Sequence, residues 1–64
     1  MVNGKKIRSL RKAADMTMAD LAQKAFVSQE MIHYIEMGKR KASVETLKHI
    51  ADAFCITIDE LLKI

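Results

Sequence analysis

Sixty-four residues, half of them apolar and 30% charged, with a net charge of +3, describe one small globular domain (residues 1–64) near the lower size limit for folding without a staple. The single cysteine, Cys55, excludes an internal disulfide, and one Cys with the distant His33 and His49 lacks structural-zinc spacing, so no metal and no cofactor are expected. No apolar run approaches the roughly 20 residues of a membrane span, and the start MVNGKKIRSLRK lacks the apolar segment of a secretion signal; a cytoplasmic protein without a membrane partner is expected, with Cys55 a small buried or half-buried hydrophobe.

With no proline and only two glycines, helix is the default, and spacing and punctuation predict five helices in an all-α bundle. The first carries Ile7, Leu10, Arg11 and Ala14 at i, i+3, i+4 and i+7, one stripe, within a segment whose residues 1–12 hold five cations and no acid. Thr17 reads as an N-cap, and Asp20 three residues later completes a capping-box pattern that opens a second helix with the stripe Met18, Leu21, Ala22 and Ala25. Ser28 caps a third helix, which runs to about Met37 and stops at Gly38, the residue suited to left-handed backbone after a helix. Residues 13–38 carry one cation against four acids, and then Lys39, Arg40 and Lys41 follow in succession. Ser43 caps a fourth helix with the stripe Val44, Leu47, Ile50, Ala51 and Phe54. Thr57 with Glu60 makes another capping box, opening a short fifth helix with Ile58, Leu61 and Leu62 inside.

The third helix carries the functional signal. At 100° per residue, Met31, Ile32 and Ile35 gather on one side, while Glu30, His33, Tyr34 and Met37 point the other way with Gln29 at the flank. An exposed helix kept for solubility usually shows Glu and Lys at i, i+4; this one has hydrogen-bonding groups and no lysine or arginine. Gln fits adenine N6/N7 and Glu accepts from cytosine N4, and two basic clusters flank the slightly acidic middle of the chain, the usual footprint for a phosphate backbone and also common on ordinary surfaces; a merely solvated polar face is the alternative, for His33 and Met37 especially. Arg11 lies on the apolar stripe of the first helix and Glu36 toward the inner side of the third, so the two are expected to pair and fix how those helices cross. No Ser/His/Asp or Cys/His arrangement, phosphate-cradling glycine loop or paired carboxylates occur, so an enzyme is not expected, and no small-molecule site is evident.

The stretch Met18 to Met37, MADLAQKAFVSQEMIHYIEM, resembles the helix-turn-helix motif of the Cro and phage-repressor (xenobiotic-response-element-like) class, and the likeness extends from Ile7 to Leu62 through IEMGKRKASVETLKHIADAF and ITIDELL. The resemblance implies a lambda-repressor-like domain whose recognition helix, about residues 28–37, enters the major groove of an operator duplex. By position it implies base reading by Gln29, Glu30, His33 and Tyr34, phosphate contacts by Thr17, Gln23, Ser28, Lys39, Arg40 and Lys41, and an internal Arg11–Glu36 ion pair. It further implies a transcriptional regulator, a repressor above an activator. One such domain covers only a half-site, so a homodimer on a palindromic operator is expected; the apolar Ile58 and Ile64 near the C-terminal end are candidate dimer contacts, packing of both against the short terminal helix being the alternative.

The chain departs from that pattern at several places. Met18 stands where a phosphate-contacting Gln is frequent, Ala42 where proline is, and Asp15, Phe26 and Cys55 where glycine is common. If those three are left-handed, each costs on the order of 1 kcal/mol. Phe26 is expected to fold back on the core, an exposed aromatic for a partner being the alternative. Two rival functions stay open: an antitoxin-like module that binds a protein through Phe26, Met37 and Ile64 and DNA secondarily, or the DNA-binding part of a larger regulator.

Overall fold

The computed structural model of the chain describes residues 4–62, which form five helices and, among those residues, no strand. These are α1 (Gly4–Ala13), α2 (Met18–Ala25), α3 (Gln29–Glu36), α4 (Val44–Ala53) and α5 (Ile58–Leu62). Each of the three middle helices starts on a hydroxyl cap in extended backbone. Thr17 Oγ1 accepts from the Asp20 N–H, Ser28 Oγ from the Met31 N–H and Ser43 Oγ from the Thr46 N–H, at 3.0, 3.1 and 3.1 Å. The reciprocal half of the capping box is present at α2, where the Thr17 N–H donates to Asp20 Oδ2 at 3.0 Å. At α5 the Glu60 N–H donates to Thr57 Oγ1 (3.1 Å), but the Glu60 carboxylate accepts from the Thr57 hydroxyl at 3.5 Å instead of from the backbone, so only half of the expected box forms.

Helices α1 to α4 all stop by one device. A residue in left-handed backbone donates its N–H back three residues, and the next residue donates back five, which closes two otherwise open carbonyls. The left-handed residues are Asp15 (φ 56°), Phe26 (φ 59°), Gly38 (φ 76°) and Cys55 (φ 58°). The five-residue bonds are Met16 to Arg11, Val27 to Ala22, Lys39 to Tyr34 and Ile56 to Ala51, at 2.9, 3.0, 2.9 and 3.0 Å. After α1, α2 and α4 the residue that follows the left-handed one is apolar, and Met16, Val27 and Ile56 all pack against the core. Their burial offsets the steric cost of a side chain at positive φ.

The core is made of Ile7, Leu21, Ala22, Ala25, Ile32, Ile35, Leu47, Ile50, Ala51 and Leu61. Helix α2 packs on both α3 and α4, α1 closes over α3, and α5 closes over α4. Small Ala22 and Ala25 on the buried side of α2 let its neighbours approach closely. Gly4 sits directly on the end of α3: a β-carbon there would lie 2.4 Å from the Ile35 carbonyl oxygen and 2.6 Å from that of Glu36. The Lys6 ammonium also donates to the Glu60 carbonyl, which joins α1 to α5.

Four apolar residues stand differently from expectation. Ala14, just past the end of α1, and Val44, the first residue of α4, are exposed, Val44 by 75%. Cys55 is exposed, not buried or half-buried, and Phe26 is 79% exposed, not folded onto the core. The left-handed backbone turns both side chains outward and gives the inward place to the next residue. Phe26 instead rests edge-on against the ring of His49 in α4, with centroids 4.9 Å apart at 72°.

Candidate nucleic-acid interface

The α2–turn–α3 unit exposes one face of α3 and holds the other. Ile32 and Ile35 are fully buried, Glu36 is buried, and Met31 is half-buried; Gln29, Glu30, His33 and Met37 are exposed and Tyr34 is half-buried. His33 and Tyr34 lie ring to ring, centroids 5.6 Å apart and tilted by 54°, so these two outward groups steady each other. At the open end of α3, Ser28 takes the N–H of Met31, and the N–H groups of Gln29 and Glu30 precede the first intrahelical acceptor and point out of the helix. At the other end Lys39, Arg40 and Lys41 are all exposed. The Lys39 N–H bond to the Tyr34 carbonyl (2.9 Å) fixes where this cationic segment leaves the helix.

The inner end of α3 is tied down by charge. Arg11 Nε donates to Glu36 Oε2 at 2.7 Å and Nη2 to Oε1 at 3.1 Å, a bidentate pair whose side chains are 9% and 3% exposed. The third guanidinium nitrogen, Nη1, donates to the Met16 carbonyl at 2.9 Å. One side chain of α1 therefore holds both the C-terminal end of α3 and the loop that leads into α2. The hydrogen bond to Glu36 and its negative charge raise the Arg11 pKa, against the opposing effect of burial. Among the described residues no buried side-chain nitrogen or oxygen lacks a partner.

Of the other candidate residues, Thr17 and Gln23 are exposed along α2, and the Thr17 N–H holds the Asp20 carboxyl below its ordinary pKa. Met18 is half-buried and packs against the core. Ile58 is half-buried and packs on the core, and Ile64 lies outside the described residues. Two features were not read from the sequence: the close seat of Gly4 on α3 and the Arg11 bond to the Met16 carbonyl. Gly4 being one of only two glycines in the chain was the available signal for the first. Among the described residues no group of three His, Cys, Asp or Glu is placed to hold a metal ion, and no helix is long and apolar enough to cross a membrane.

Two helices joined by a tight left-handed turn, the second presenting a polar face and the whole clamped by three more helices, define a repressor-like helix-turn-helix domain. A helix-turn-helix family model matches residues 7–61, and the chain belongs to that family, of the Cro and phage-repressor type, whose members are DNA-binding transcription regulators. It is 40% identical over 57 residues to the HTH-type transcriptional activator BcrR of Enterococcus faecalis, covering 89% of this chain and 28% of the relative. The solved structure of the P22 c2 repressor with a synthetic operator superposes with a TM-score of 0.90 at 28% identity, covering 98% of this chain and 96% of that one. The restriction-modification controller protein C.AhdI of Aeromonas hydrophila superposes with a TM-score of 0.87 at 28% identity, covering 91% and 88%. The chain spans between 28% and 45% of the length of the curated relatives it matches.

Proposed function

We propose that residues 1–64 form one sequence-specific duplex-DNA-binding domain that works as a transcriptional repressor in the cytoplasm, with α3 in the major groove. The observation that carries this reading is the face of α3 formed by exposed Gln29, Glu30 and His33 with half-buried Tyr34, directly followed by exposed Lys39, Arg40 and Lys41. Its support from comparison is the close fit to the operator-bound P22 c2 repressor. In this reading Gln29, Glu30, His33 and Tyr34 face base edges. Thr17, Gln23, Ser28 and Lys39 to Lys41 meet sugar and phosphate, where the exposed open end of α3 favours an anion. Repression by occupancy follows from binding alone and needs no polymerase contact.

A domain that spans one half-site gains specificity by pairing, so the active species is a homodimer on a palindromic operator with half-site centres about 34 Å apart. Ile58 and Ile64 are the proposed dimer contacts. The test is a duplex titration across salt. Gln29→Ala should flatten preference among sites, whereas Lys39→Ala and Arg40→Ala should weaken all sequences alike and each reduce the salt slope by about 0.9. The reverse pattern refutes the assignment, and sedimentation showing a monomer at saturating operator refutes the dimer. A second reading, an antitoxin-like protein-binding module, is favoured by the outward Phe26 (79% exposed) and Met37 (54% exposed). It predicts that Phe26→Ala leaves DNA binding intact while abolishing a protein complex.

A further inference from the structure

Helix α3 carries two acids that the fold treats in opposite ways. Glu36 is buried and neutralised by the bidentate Arg11 pair. Glu30, in the first turn, is exposed and has neither an ion pair nor a side-chain hydrogen bond among the described residues, and no lysine or arginine occurs within Gln29–Glu36. We propose that Glu30 is a discriminating charge: it weakens the hold of α3 on duplex DNA in general and spares only sites where a cytosine amino group meets it. This rests on the reading of α3 as the base-reading helix.

Donors and acceptors in a confined groove set the effect of this charge. An ionised carboxylate only accepts hydrogen bonds. In a major groove about 12 Å wide it also lies within roughly one Debye length, about 8 Å, of phosphates on either side, so its charge is felt at every sequence. Guanine offers acceptors, thymine an acceptor and a methyl group, and adenine a donor beside an acceptor. Cytosine N4 is a donor with no competing acceptor among the major-groove atoms of that base. The partial positive charge at the open end of α3 equals only about half a unit charge, so it does not cancel the repulsion. The rim of Lys39 to Lys41 supplies attraction that ignores sequence, and the lone carboxylate subtracts from it wherever cytosine is missing.

Glu30→Gln keeps the shape, removes the charge and adds a donor that suits adenine. One unit of charge alters the salt slope by about 0.9, which corresponds to up to about eightfold in affinity at 0.1 M salt. The experiment measures fluorescence anisotropy of a mixed-sequence duplex with the 64-residue chain, Glu30→Gln and Glu30→Ala from 0.05 to 0.3 M salt, alongside selection of bound sites from random DNA. Expected is that both variants bind the mixed duplex about three- to eightfold more tightly at 0.1 M with a steeper salt slope. The parent selects sites with one cytosine per half-site that Glu30→Gln exchanges for adenine and Glu30→Ala leaves undetermined. If the parent binds with the usual salt dependence and the variants bind the mixed duplex equally or more weakly, the inference is overturned while α3 remains the DNA-facing helix. A gain in Glu30→Gln alone also overturns it, since charge removal is common to both variants. If the parent does not bind duplex DNA at low salt, the inference and the reading beneath it fall together.

Discussion

Removing the Arg11 guanidinium is the sharpest test of how the interface is held. In Arg11→Met the Glu36 carboxylate, only 3% exposed at its side chain, keeps its burial and loses both donors, at 2.7 and 3.1 Å, and the Met16 carbonyl loses the donor at 2.9 Å. Breaking one partner of a buried pair costs about 3–5 kcal/mol. A domain of this size commands only about 3–10 kcal/mol in total. At about 4–8 °C per kcal/mol, the melting temperature followed by circular dichroism at pH 7 should fall by at least about 12 °C. The double substitution Arg11→Met with Glu36→Met removes both charges from the interior and should recover most of that loss. The Arg11 pKa is raised above its ordinary value, so the stabilisation is complete below that value and is lost only as pH climbs through the elevated one. The gap between parent and variant should therefore persist unchanged from pH 7 to pH 10. A single variant within about 3 °C of the parent, or a double variant as unstable as the two singles added together, would show that Arg11 does not clamp α3 as described.

Gly4→Ala should destabilise by about 1–3 kcal/mol, because the new β-carbon meets backbone oxygens at 2.4 and 2.6 Å and α1 must lift off α3; helix propensity alone favours Ala by about 1 kcal/mol, so a raised melting temperature refutes the close approach. Cys55→Gly should stabilise by about 1 kcal/mol through relief at φ 58°. Phe26→Gly should gain less than Cys55→Gly, since it also loses the His49 ring contact, worth about 0.5–1.5 kcal/mol; urea titrations giving the opposite order refute the role assigned to that contact. Asp20 has its pKa lowered by the Thr17 N–H and hydroxyl, so its contribution is present above the ordinary carboxylate range and is lost as pH falls through the depressed value. In Thr17→Ala the Asp20 carboxyl, followed by NMR titration, should move back up toward the ordinary value, and an unchanged midpoint would assign the shift to the backbone N–H alone.

Helix starts were legible because a cap is local chemistry. A hydroxyl at Thr17, Ser28, Ser43 or Thr57 reaches an N–H three residues on, whatever the rest of the chain does. The reciprocal bond was legible at Asp20 and not at Glu60, where the longer acid meets the Thr57 side chain instead. Periodicity alone also placed Arg11 and Glu36 on facing inner sides, and in the structure they meet there. What periodicity does not carry is the third bond of that cluster, to the Met16 carbonyl, because its position depends on the left-handed turn at Asp15.

The same turn explains the misplaced apolar residues. Residue type alone gives no reason for Asp15, Phe26 or Cys55 to stop a helix, and only the likeness to relatives with glycine there pointed to positive φ. Judged by hydrophobicity, Phe26 and Cys55 belong inside. Judged by backbone they cannot be there, since a left-handed residue at the end of a helix leaves the direction of the buried stripe. The inward position passes to its successor, and in all three turns that successor, Met16, Val27 or Ile56, packs against the core. Hydrophobic burial in these turns is thus shifted by one residue. Phe26 is left outward at 79% exposure within the motif, in a left-handed conformation that strains its backbone.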